Sequence, residues 1–191
     1  MRNLKKVLSL TLALVMMLGM MTFAGAAETT KKLTSADLTD MDKVVNKEAV
    51  SLLVDLQVIG GRETGAFDPT STLTRGEIAK MIYVAKMGTD NAANFVGAPT
   101  GLLDVKGHWA EGYINYCFST GIVSGKSKTS FDPDGKVLTA EAAKMLLVAL
   151  GYDAENEGYL GDLWAVNVMQ DAKKVGLMEG VGTMANVHIT R

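Results

Sequence analysis

Residues 67–81 read FDPTSTLTRGEIAKM, and residues 131–145 read FDPDGKVLTAEAAKM. The two stretches lie 64 residues apart and agree without a gap at seven of fifteen positions: Phe67/Phe131, Asp68/Asp132, Pro69/Pro133, Glu77/Glu141, Ala79/Ala143, Lys80/Lys144 and Met81/Met145. Agreement of that density in one register is an internal repeat, and a repeat governs the architecture before any local reading does. A third, fainter echo closes the chain, where Ile189-Thr190-Arg191 follows Leu73-Thr74-Arg75.

Within the first copy, Thr74-x-x-Glu77 is a capping box. The Thr hydroxyl accepts the N–H of Glu77, and the Glu77 carboxylate accepts that of Thr74. The helix it starts is expected to bury Ile78, Met81, Ile82 and Ala85 and to stop at Gly88. In the second copy Leu138 stands at the Thr74 position and Thr139 at the Arg75 position. Thr139 is expected to cap by moving the start one residue, to 140, at the loss of the reciprocal glutamate. That helix runs to residue 150 with Met145, Leu146 and Ala149 inward and Gly151 as its stop. Ahead of both copies, Pro69 biases Asp68 away from α conformation. Phe67 and Phe131 are expected to plug the gap between two helices.

Upstream, Val45, Ala49, Leu52, Leu53 and Leu56 recur along one face of a helix over residues 40–56. Adding 64 gives Trp109, Tyr113, Tyr116, Cys117 and Thr120. The repeat is therefore a whole helix–loop–helix unit, and Asp40 and Asp104 open its two copies. Gly121 suits a left-handed helix stop, which Gln57 in the first copy fits less well. Further on, Trp164, Val168, Ala172 and Val175 make a third first-helix face, with Gly176 as its stop. The loop after it lacks the Phe-x-Pro element and reaches Thr190-Arg191, a cap with no helix behind it. On this reading the third repeat is incomplete, leaves an apolar groove, and belongs to a fragment of a longer protein or to a truncated gene product. The organisation expected is residues 1–26 as a signal peptide, 27–37 as a flexible lead-in, and three repeats over 38–101, 102–161 and 162–191.

The leader rests on Arg2, Lys5 and Lys6, an apolar run over residues 7–23, and the small-residue site Ala24-Gly25-Ala26. An uncleaved anchor is the alternative, since 17 residues stand at the lower edge of a spanning length. Removing residues 1–26 lowers the formal charge from −2 to −5. An acidic exported chain without a basic cluster argues against nucleic acid. Cys117 is the single cysteine, so no disulfide forms within the chain; a buried apolar role is expected over a reactive thiol. The two histidines, His108 and His188, have no ligand-like spacing to it, and neither metal nor cofactor is expected.

Four elements together resemble the S-layer homology family: Asp-x-x-x-His-Trp-Ala over 104–110, Gly-Ile-Val-x-Gly over 121–125, Phe-x-Pro over 131–133 and Leu-Thr-Arg-x-Glu over 73–77. The resemblance covers residues 38–191. It implies an all-α fold, tandem helix–loop–helix repeats in a pseudo-threefold bundle. It also implies non-covalent attachment of an exported protein to the secondary polysaccharide of Gram-positive cell walls, often at a pyruvylated sugar. A pyruvyl ketal presents a carboxylate, which an Arg fork at a helix start suits. Arg75 and Arg191 hold that family position, beside Thr74 and Glu77, whereas Thr139 departs from it. Trp109 and Trp164 are expected to build the core rather than stack on sugars.

Anchoring to an anionic wall glycan, without catalysis, is thus the expected function. A protein–protein adaptor built from degenerate units is the alternative, motivated by the arginine missing from the second unit. An exported glycosidase would need a carboxylate pair. Asp104, Glu111, Asp132 and Glu141 are available, but each has a local reading as a cap or a solvated face.

Overall fold

The computed structural model describes residues 33–62, 64–180 and 184–191. The expected signal peptide, residues 1–26, and residues 27–32 of the expected lead-in lie outside them. Among the described residues the regular structure is helical: α1 (Lys47–Asp55), α2 (Arg75–Met87), α3 (Glu111–Ser119), α4 (Thr139–Ala149) and α5 (Trp164–Lys174). Short 3-10 turns stand at Ser35–Asp37, Met41–Lys43 and Ala93–Phe95. The fold is all-α. No helix among the described residues is long and apolar enough to cross a membrane.

α2 starts as its sequence dictates. Thr74 Oγ1 accepts the Glu77 N–H at 3.2 Å, Glu77 Oε2 accepts the Thr74 N–H at 2.9 Å, and Gly88 ends the helix at φ 66°. α4 departs from expectation. It starts at Thr139, in the same register as α2, with Leu138 at the cap position. A leucine side chain accepts no hydrogen bond, so that half of the box is missing. The reciprocal half survives, since Glu141 Oε2 accepts the Leu138 N–H at 3.0 Å. Thr139 stands at the first helical position rather than the cap, and its hydroxyl donates to Val187 O at 2.9 Å.

The helices pack in sequence, α2 along α3 and α4 along α5. The largest core joins Ile78 and Ile82 of α2 to Ile114 and Cys117 of α3, with Phe131, Val137 and Met145 behind them. Each such side chain contributes roughly 1.5–3 kcal/mol on full burial. Phe67 and Phe131 are buried as expected, and so is Cys117, whose thiol burial pushes up to about 12.

The expected face is turned in α1, and in α2, α4 and α5 it holds with one member each exposed: Ile78, Ile82, Met145, Val168 and Ala172 are buried as expected. α1 begins at Lys47, and Val45, Leu52 and Leu56 are exposed; Val54 is buried and Val50 packs beside it. The sequence KEAVSLLVD carries an apolar residue on either stripe, so periodicity does not choose between them. In α2 Ala79, Tyr83 and Val84 are buried whereas Ala85 is exposed, because α3 and the 92–95 turn cover that side. In α4 Leu147 is buried against α5 and Leu146 is exposed. In α5 Val168 and Ala172 are buried and Val175 is exposed.

Two devices hold the loops. Asp40 accepts the N–H groups of Phe67 and Asp68 at 2.6 and 2.8 Å, and Asp104 accepts those of Phe131 and Asp132 at 2.9 and 2.7 Å. In both loops the Asp before Pro adopts a left-handed φ, 60° at Asp68 and 62° at Asp132, rather than an extended one. Gln57 is left-handed too, at φ 60°, and its side-chain amide bonds Val54 O and Leu33 O at 2.7 and 2.9 Å. The second device is a closed ring. Leu73 N–H donates to Ile189 O at 3.0 Å, Ile189 N–H to Val137 O at 3.1 Å, and Val137 N–H to Leu73 O at 3.0 Å.

Candidate functional site

Two cavities open beside this ring. The first, of about 250 Å3, is lined by Arg75, the 122–126 loop, Glu141, Lys144, Met145, the 159–161 segment and Trp164. The second, of about 370 Å3, is lined among others by the 58–62 loop, Phe67, Glu77, Lys80, Met81, Trp109 and Arg191. Subtracting 64 maps Gly125, Lys126, Glu141, Lys144 and Met145 onto Gly61, Arg62, Glu77, Lys80 and Met81. The two cavities are the same site built twice.

In each, an arginine from another repeat supplies the deepest cation. Arg75 stands at the start of α2 and reaches into the second repeat's cavity. Its Nε donates to Phe131 O and one terminal nitrogen to Ser124 O, both at 2.8 Å. The guanidinium lies 4.3 Å over the Phe131 ring and 3.9 Å from Glu141 Oε1. Arg191 does the same one site away. It donates to Gly60 O at 2.7 Å, lies 5.2 Å over Phe67 and stands 3.9 Å from Glu77 Oε1. Burial lowers the pKa of both, opposed at Arg75 chiefly by the Glu141 charge and at Arg191 chiefly by that of Glu77. Arginine stays protonated through such shifts.

The four residues singled out in sequence therefore do not share one cavity. Glu77 and Arg191 line the larger one, Arg75 lines the smaller, and Thr74 lies between as the cap of α2. Nor does the start of α2 face open space. The Arg75 and Gly76 N–H groups donate to Gly135 O and Pro133 O at 2.9 and 2.8 Å. These two N–H groups are therefore not open to a ligand.

The cavity walls are cationic. The smaller cavity carries Arg75, Lys126 and Lys144 against Glu141, and the larger carries Arg62, Lys80 and Arg191 against Glu77. Lys126 pairs with Glu141, and Arg62 with Glu77 at 3.4 Å. Lys144 donates to Tyr159 O at 2.7 Å, and Lys80 pairs with Asp90 at 2.7 Å. Burial opposes ionisation of Glu141, but its bonds to Lys126 and the Leu138 N–H outweigh that, and its pKa is lowered. Trp109 is 54% exposed on the rim, and Trp164 is partly buried in its own cavity wall. Trp164 packs against the core around Val168 and Ala172 as expected, whereas Trp109 does not fill the core, since Ile114 turns inward there instead.

Two of the other carboxylates, Asp104 and Glu111, have structural partners. Asp104 clamps the 131–132 backbone. Glu111 accepts the Gly107 and Gly97 N–H groups at 2.7 and 2.9 Å, and these lower its pKa. Sequence reasoning missed Arg62 and Lys126. Their spacing of 64 was the available signal, since both are cationic at one position of the repeat.

Residues 37–79 and 102–143 both match the family description S-layer homology domain. The chain belongs to the S-layer homology family. Relatives agree with this. The middle cell wall protein of Brevibacillus brevis is 29% identical over 184 residues, 95% of this chain and 16% of that protein. The surface-layer 125 kDa protein of Lysinibacillus sphaericus is 32% identical over 159 residues, 77% of this chain and 13% of that protein. The cellulosome-anchoring protein of Acetivibrio thermocellus is 29% identical over 100 residues, 51% of this chain and 22% of that protein. The chain thus spans less than a quarter of the length of each.

Proposed function

We propose that this S-layer homology chain anchors an exported protein at the cell-wall surface by binding an anionic, pyruvylated secondary wall polysaccharide. One observation carries the reading. Each of two equivalent cavities gathers three cations against one carboxylate, on a chain whose formal net charge is −2. A positive cleft in a negative molecule concentrates an anion there and repels it elsewhere. An indole at each cavity wall suits the apolar face of a sugar ring. Arg75 and Arg191 set the field of the two floors, and Glu77 with its Thr74 cap fixes one wall. The work is binding without bond making or breaking. The names of the relatives, two wall or surface-layer proteins and an anchoring protein, support export and attachment. The ring of hydrogen bonds through Leu73, Val137 and Ile189 supports three units about one pseudo-threefold axis.

Sedimentation with purified wall sacculi tests the reading. The protein is expected to pellet with intact sacculi and to stay in the supernatant once the secondary polymer is stripped. Equal retention by stripped sacculi would overturn the glycan reading and favour a protein adaptor.

A further inference from the structure

The arginines at the cavity floors are poorly placed to hold a ligand directly. The Arg75 side chain is 4% exposed, and two of its nitrogens already donate to backbone carbonyls. That of Arg191 is 11% exposed and also serves a carbonyl. By contrast the side chains of Arg62 and Lys126 are 41% and 45% exposed. Their partner in each case is a single glutamate, Glu77 or Glu141, on the opposite wall. Half-exposed ion pairs of this kind are weak, about 0–1 kcal/mol, and exchange readily. Lys144 is less free, held by the Tyr159 carbonyl, and Lys80 is less exposed than Arg62, at 33%.

We infer that Arg62 and Lys126 are the residues that contact the ligand's carboxylate, which displaces Glu77 or Glu141 as their partner. This rests on the anionic-glycan reading above. The displaced glutamate keeps a place to stay. Its other oxygen accepts the N–H of Thr74 or Leu138 at the helix start, so it remains as a fixed internal competitor. The two sites then differ in kind. Arg62 offers a planar fork that grips both oxygens of a carboxylate, whereas Lys126 offers a point charge. The internal carboxylate sets a threshold that neutral sugars, having nothing to exchange for it, do not cross.

The test is calorimetric titration of the purified chain with a methyl hexopyranoside carrying a 4,6-pyruvyl ketal, at low salt. Arg62→Met and Lys126→Met are each expected to weaken one of two sites about tenfold, as loss of a charge-assisted hydrogen bond does. The double variant weakens both, and since both side chains are half exposed, the thermal midpoint stays put. Glu141→Gln keeps an oxygen for the Leu138 N–H but removes the competing charge, and is expected to tighten binding about threefold or more. Lys128→Met removes an exposed charge two residues from Lys126 and outside the cavity, and leaves binding unchanged. Wild-type binding that survives in the double variant, or that weakens in Glu141→Gln, overturns this inference alone. A wild-type chain that binds neither the ketal nor sacculi overturns the glycan reading with it.

Discussion

The two cavities use one plan with different tolerances. At the smaller, Arg75 bonds two carbonyls and stacks at 4.3 Å on Phe131. At the larger, Arg191 bonds one carbonyl and lies 5.2 Å over Phe67. The loops differ in the same sense. A Cβ on Gly125 would stand 2.4 Å from Ser127 O and 2.8 Å from Ser130 O, both backbone atoms. A Cβ on Gly61 would meet first a movable Leu38 methyl, at 2.9 Å. The smaller site is thus a rigid joint between repeats, and the larger is a looser, wider copy with its tryptophan 54% exposed. The same cation can be a strut in one copy and closer to a free wall in the other.

The sharpest way to break that contrast is to remove the two arginines in turn. Arg75→Ala strips the donors from two carbonyls beside the core and is expected to destabilise the fold by about 2–4 kcal/mol. Arg191→Ala leaves one carbonyl and is expected to remove about 1–2 kcal/mol. Chemical denaturation of both variants checks this. Equal losses would mean that the closer stacking and second carbonyl at Arg75 add nothing.

Much of this frame was legible from the repeat alone. Seven matched positions gave the unit, Thr74 and Glu77 gave the start of α2, and Gly88, Gly121 and Gly176 stop helices at positive φ. What failed was the choice of buried stripe in α1, because Val50 and Val54 compete with Leu52 and Leu56 on an apolar segment. The site failed for another reason. Arg75 meets Phe131 across 56 residues and Arg191 meets Gly60 across 131, and local periodicity holds no information about such pairs. The left-handed Gln57 was legible as a misfit but not as a solved one, since its amide partners include Leu33 O, 24 residues back.

Acid should test the shared part of the two sites rather than their difference. Asp40 is held below the usual carboxylate range by the Phe67 and Asp68 N–H groups. At Asp104 burial pushes the pKa up, but the Phe131 and Asp132 N–H groups with the Ser130 hydroxyl bring it below the usual value. A carboxyl whose folded pKa is depressed stabilises the fold above its unfolded pKa and loses that contribution as pH falls through the folded one. Stability is therefore expected to be level above about pH 5 and to decline below about pH 4, near the ordinary aspartate value. Urea midpoints across that range check it. Asp104→Asn should flatten part of the decline, and a decline centred near pH 6 would point to histidine instead.

The smallest expected effect concerns the caps. Thr74→Ala removes the hydroxyl that accepts the Glu77 N–H and is expected to cost about 1 kcal/mol. The opposite change, Leu138→Thr, supplies that hydroxyl where the second copy lacks it, at a backbone already extended, with φ −81° and ψ 154°. The carboxylate half of the box is present there, so only the side chain has to change. Leu138 is half-buried, and trading it for Thr gives up part of its apolar contact. A gain of about 0.5 kcal/mol, smaller than the loss in Thr74→Ala, is therefore expected from the cap. Thermal denaturation of the two variants side by side measures the pair. A loss at Leu138→Thr would show that its packing outweighs the missing acceptor, and that the second copy departs from the first to fill space at the ring rather than by loss of a cap.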